Sequence, residues 1–190
     1  MHTAIIIHGM PEKETYYNLD KDSDSNAHWL PWIQKRLLVN NIFTQTPEMP
    51  EPYLPNYEAW KKEFERFDIN ENTILVGHSC GAGFLIRYLS ENNIKVNKVA
   101  LVAPWLNVNR EEDFNFFDFE IDKNIINKTK DLKIFFSTDD HEEIINSMEK
   151  IKKEISDIDS KIMEFENKEH FTFGSMGTRE FPELLEFLIS

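Results

Sequence analysis

Short apolar runs punctuate a chain that is otherwise strongly polar, and their spacing carries the first structural information. Ala4-Ile5-Ile6-Ile7, Ile42-Phe43-Thr44-Gln45-Thr46, Thr73-Ile74-Leu75-Val76, Val99-Ala100-Leu101-Val102-Ala103, Leu132-Lys133-Ile134-Phe135-Phe136 and Lys161-Ile162-Met163-Glu164-Phe165 each have the length and β-branched or aromatic content of a strand. Between them, apolar residues recur at helical spacing. Trp29, Ile33, Leu37 and Leu38 follow Asn26 as a candidate cap, and Ala59, Trp60, Phe64 and Phe67 form a second set. Phe84 to Leu89, Ile144 to Ile155 and Phe181 to Ile189 complete the helices, the last with Pro182 in its first turn. The stretch 10–26 and the phenylalanine-rich stretch 107–130 lack either period and read as irregular, with a short helix near Ile125. Strands alternating with amphipathic helices predict an α/β protein: a mostly parallel sheet of about six strands with helices on both faces.

Length and charge narrow this picture. One hundred and ninety residues suit one domain, 1–190, with its own core. The formal net charge of −13 argues against nucleic acid as a partner, because binding phosphate needs a basic surface. Cys80 is the only cysteine, so no intrachain disulfide forms. The N-terminus has no basic flank and only a brief apolar run, and no stretch approaches the ~18 apolar residues of a membrane span. The expectation is a soluble cytoplasmic protein with no membrane partner.

The chemistry centres on Gly77-His78-Ser79-Cys80-Gly81, which lies between a strand-like and a helix-like run. Strand, G-x-S-x-G, helix is the context of a nucleophile elbow, a turn tight enough that glycine is needed on either side. The plainer alternative is a glycine-rich turn with a capping serine. Other strand ends carry complementary groups: Asp139-Asp140 and His170. The order Ser, Asp, His along the chain is that of α/β-hydrolases. In such a site His170 would take the Ser79 proton, an aspartate would orient the imidazole, and two backbone N–H groups would hold the oxyanion. The oxyanion donors expected are Cys80, just after the serine, and Met10, in the loop after the first strand. Adjacent strand residues point to opposite sides, so only one of Asp139 and Asp140 can face His170.

The chain resembles the YdeN-like small serine hydrolases, the group that includes retinoblastoma-binding protein nine. The matching pieces are Ile6-Ile7-His8-Gly9, His28-Trp29-Leu30-Pro31-Trp32, Thr44 to Pro50, Val76 to Ala82, Leu101-Val102-Ala103-Pro104, Ser137-Thr138-Asp139-Asp140 and His170-Phe171. The resemblance implies a three-layer α/β-hydrolase fold with minimal or no lid, a serine nucleophile, no cofactor, and the second aspartate, Asp140, as the triad acid. It also implies a small-molecule substrate cleaved at an ester or related acyl bond. The chain departs from the family pattern in three places: His141 replaces a proline, Glu169 replaces a glycine, and Met10-Pro11-Glu12-Lys13-Glu14 replaces a glycine-rich loop.

Trp105, Phe116 and Phe117 are candidate walls of a shallow apolar pocket, with the segment 114–119 standing where larger relatives insert a lid. Asp20 to Asn26 starts like a calcium loop but lacks its glycine and final glutamate, so no metal site is expected. The expected activity is a carboxylesterase for small or medium neutral acyl groups. The alternatives are a thioesterase or amidase, or a binding module that uses the same fold without turnover. No protein partner follows from the sequence.

Overall fold

The computed structural model describes residues 2–108 and 115–190. Six strands form one sheet, all paired in parallel: β1 (Thr3–Ile7), β2 (Phe43–Gln45), β3 (Thr73–His78), β4 (Val96–Val102), β5 (Thr129–Ser137) and β6 (Ile162–Phe165), in the spatial order β2-β1-β3-β4-β5-β6. Strands β1 and β3 are wholly apolar or small over their central residues because both of their faces are covered. The helices are α1 (Lys13–Tyr16), α2 (Leu30–Val39), α3 (Tyr57–Phe64), α4 (Cys80–Glu91), α5 (Glu142–Glu154), α6 (Phe173–Met176) and α7 (Pro182–Ile189).

The chain moves outward from β1 to β2, then recrosses β1 to reach β3 and continues to β6. Right-handed crossovers in opposite directions place the connecting helices on opposite faces. On one face α2 meets α7, with Trp29 edge-on to Phe181 at 5.8 Å. On the other, Trp60 and Phe64 of α3 pack edge-on to Phe84 of α4 at 5.8 and 5.3 Å. These rings are fully buried, each contributing about 1.5–3 kcal/mol by leaving water. The direction of winding reverses at β1, so the carboxyl ends of β1 and β3 flank a crevice where α/β sheets bind ligands.

Two element boundaries differ from the sequence expectation. Asn26 does not cap α2: it closes a 3-10 turn over Asp24–Asn26, and α2 starts at Leu30 with Pro31 in its first turn. The stretch 10–26 also contains α1, a single turn begun just after Pro11. No helix among the described residues is long and apolar enough to cross a membrane.

Candidate active site

Ser79 ends β3 and starts α4 with φ 53° and ψ −118°, a conformation that costs a residue with a Cβ about 1–3 kcal/mol. The surrounding backbone holds it there. The Ser79 N–H donates to the Val102 carbonyl at 2.9 Å, and the Ser79 carbonyl accepts from the N–H groups of Ala82, Gly83 and Trp105 at 3.0, 3.1 and 3.2 Å. A Cβ on Gly77 would lie 2.6 Å from the Ala82 Cα, and one on Gly81 would strike the Ile7 and His8 carbonyls. Those glycines let α4 close onto β1 and β3. Cys80 opens α4 and is fully buried, and burial raises its thiol well above the usual range, so it is no nucleophile at neutral pH.

His170 lies on the loop between β6 and α6. Its Nδ1 is 3.0 and 3.2 Å from the two carboxylate oxygens of Asp140, whose side chain is completely buried. A carboxylate only accepts, so Nδ1 carries the proton and Nε2 is left with a lone pair. Asp140 also accepts the His141 N–H at 2.7 Å, a donor that proline at this position could not supply. Asp139 turns the other way. It is exposed, accepts from Ser137 Oγ and from the Glu169 N–H at 3.1 Å, and the Ser137 hydroxyl holds its carboxyl below the usual range. Lys168 N–H donates to Ser137 Oγ at 3.2 Å, so the two loops are tied together across the β5–β6 edge. Glu169 is exposed with φ 43°, and Phe171 has φ 53°. A positive φ explains why glycine suits the position before the histidine. Phe171 is fully buried and stacks on Phe181 at 5.4 Å, anchoring the loop.

Other histidines frame this pair. His78 is buried, and burial together with the charge His170 can carry pushes it well below its usual range. As a neutral ring it donates from Nε2 to the His170 carbonyl at 2.9 Å. His8 is buried and depressed for the same first reason, partly offset by Glu48. It donates from Nδ1 to the Gly9 carbonyl at 2.8 Å and accepts the Met49 N–H on Nε2 at 2.9 Å, which fixes one neutral tautomer. One ligand atom from each of His8, Asp24 and Glu48 lies within 4.8 Å of the others. Since the Met49 N–H already uses the His8 lone pair, two carboxylates remain. Burial and then Glu48 raise Asp24 to about 6.

A cavity of about 570 Å³ opens beside Ser79 and His170. Met10, Glu12, Lys21, Asp24, His28 and Arg179 are among its walls. Trp105, Phe116 and Phe117, expected to wall an apolar pocket, are not among the residues lining this cavity. All three are buried elsewhere: Phe116 is edge-on to Trp60 at 5.0 Å and Phe117 to Trp105 at 5.2 Å. Gly83 explains it, because a Cβ there would lie 2.5 Å from Phe117 Cε1, so the missing side chain leaves a slot for that ring. Arg87 also draws in the Asn115 and Phe116 carbonyls, each at 2.8 Å. Phe114, at the start of the candidate lid segment, lies outside the described residues. Sequence reasoning missed Lys21, His28 and Arg179. For Lys21 and Arg179 the signal was no more than a place in a polar loop, whereas His28 stood in a piece that matches the family without an assigned role.

A parallel sheet, a strained serine between β3 and α4, and a histidine held by a buried aspartate at the same edge define an α/β-hydrolase of the YdeN-like type. The chain belongs to the serine hydrolase family, whose model matches residues 20–189. It is 28% identical to YdeN of Bacillus subtilis strain 168 over 169 residues, 84% of this chain and 86% of that protein. The crystal structure of the B. subtilis ydeN product superposes with a TM-score of 0.78 at 24% identity, covering 99% of this chain and 97% of that one. A YdeN-like protein of Pectobacterium atrosepticum gives 0.64 at 16% identity, covering 99% and 89%. Est1E of Butyrivibrio proteoclasticus with ferulic acid bound gives 0.58 at 11% identity, covering 100% and 85%. At these identities the solved structures speak for the fold.

Proposed function

We propose that the chain hydrolyses carboxylic esters through an acyl-enzyme on Ser79. Ser79 Oγ attacks the ester carbonyl carbon as His170 Nε2 takes its proton, and Asp140 steadies the imidazolium through Nδ1–H. The N–H groups of Cys80 and Met10 receive the oxyanion. The tetrahedral intermediate collapses, His170 hands its proton to the departing alcohol, and a water repeats the sequence to release the acid. Thioesters and amides would enter by the same attack and differ only in the leaving group. The observation that carries this reading is the Asp140–His170 contact, made on the wall of the cavity that Ser79 also lines.

One observation favours the binding-module reading. Among the described residues, no hydrogen bond joins Ser79 Oγ to His170. Catalytic contacts of this kind often close only around a substrate.

The test is intact-mass analysis after fluorophosphonate treatment at neutral pH. A single adduct on Ser79 is expected. Ser79→Ala should abolish both the adduct and ester turnover, the latter by about 10³-fold or more. A folded protein that takes no label would overturn the hydrolase reading in favour of binding alone.

A further inference from the structure

His28 is not explained by the reaction above. It precedes α2 with φ 54°, a left-handed conformation that few side chains accept and that is stored where surrounding structure requires it. Its ring lines the cavity and packs edge-on to His78 at 5.7 Å, and His78 lies 5.1 Å from the His170 ring. Nδ1 accepts the Phe173 N–H at 3.1 Å, so the neutral ring carries its proton on Nε2. That Nε2–H has no protein partner among the described residues. The surroundings of the ring lower its affinity for a second proton: burial acts first, and the charge His170 can carry and that of Arg179 act in the same direction. Arg179 is itself committed to Asp22 at 2.8 Å and to the Asn26 carbonyl at 3.3 Å.

We infer that His28 is a specificity-determining residue, presenting a fixed Nε2–H donor to an acceptor oxygen on the substrate. The substrate class is an ester bearing an additional ether, hydroxyl or carbonyl oxygen in its acyl or alcohol portion. This rests on the esterase reading above. A purely structural role requires only the acceptor for Phe173. It leaves the donor without a purpose on a cavity wall that also carries Thr15, Lys21 and Asp24. A neutral donor suits oxygen acceptors in general. A donor left unpaired by a hydrocarbon ligand penalises that ligand, which is how polar sites discriminate.

His28→Asn separates the two roles. Asparagine tolerates the left-handed backbone, and its Oδ1 replaces Nδ1 as acceptor for Phe173, but nothing reaches the position of Nε2. Two matched pairs probe the donor: p-nitrophenyl methoxyacetate against p-nitrophenyl butyrate, and 2-methoxyethyl acetate against butyl acetate. Comparing the kcat/KM ratio within a pair between wild type and variant cancels intrinsic reactivity. The expected result is a fall of about fivefold in the ether preference of at least one pair, the size of one neutral hydrogen bond. A change under threefold in both pairs overturns the inference.

If Ser79 takes no fluorophosphonate, the esterase reading fails separately. The donor is then read in Ser79→Ala protein by ring-nitrogen NMR during titration with 2-methoxyethyl acetate. A shift of the His28 Nε2–H supports the inference, and no shift at the highest probe concentration ends it.

Discussion

The serine turn and the histidine loop present their residues to one cavity but are built on opposite principles. Ser79 is held by shape. Glycines at 77 and 81 let backbone meet backbone, and the strained φ is enforced by a carbonyl that accepts three N–H groups. His170 is held by polar contacts from two strands and a loop: Asp140 on its ring, His78 on its carbonyl, and Asp139 and Ser137 on the N–H groups before it. Close packing tolerates no added volume, whereas a polar network tolerates exchange of its members at the expense of chemistry. Damage to the first region should therefore appear in stability, and damage to the second in turnover.

The largest effect is expected from Gly81→Ala. The methyl group would meet the Ile7 and His8 carbonyls, and the sheet would have to part from α4. A loss of about 3 kcal/mol or more, or failure to fold, is expected in denaturant titration. Wild-type stability in this variant would break the contrast. Asp140→Asn should leave stability nearly intact and lower kcat by about 10³–10⁴-fold. The amide NH₂ would face Nδ1 and shift the imidazole proton to Nε2, where a base is needed. Unfolding of this variant, with the activity of its folded fraction unchanged, would reverse the assignment.

A smaller effect sharpens the comparison through pH. Asp24 titrates near 6 in the folded chain, above its unfolded value near 3.8, so the folded state binds the extra proton between them. Its contribution to stability is present below about pH 4 and lost as pH rises through 6. Asp24→Asn should stabilise the protein at pH 7 by about 1 kcal/mol, allowing for solvent screening at this half-buried carboxylate. The gain should vanish below about pH 4. His8, His28 and His78 act with the opposite sign: each is depressed on folding, so their combined contribution is lost as pH falls from about 6.5. Thermal melts of wild type and variant across pH 4–8 would separate the two trends.

Strand runs such as Thr73 to Val76 were readable because burial on both faces demands uninterrupted apolar residues, and the elbow was readable because its glycines admit no substitute. The choice between Asp139 and Asp140 was not readable from alternation, which says only that they diverge. It took the resemblance to name Asp140, and the structure puts that carboxylate on His170. Beyond Met10, Ser79 and His170, the cavity walls were illegible. The segment 10–26 has no period, since its residues answer to other loops, as Asp22 does to Arg179 over a long sequence separation. The burial of Phe116 and Phe117 was not readable either, because aromatic residues in an irregular stretch look like a ligand wall. The clue to their burial was Gly83, a gap in a different element.

The position of β6 has a consequence in time and temperature. It is a four-residue strand at the rim of the sheet, paired only with β5, while β3 lies between two neighbours near the centre. Rim strands open before central ones. Gentle warming should therefore loosen the His170 loop, which follows β6, before the Ser79 turn, and on the proposed mechanism activity should fall before the protein melts.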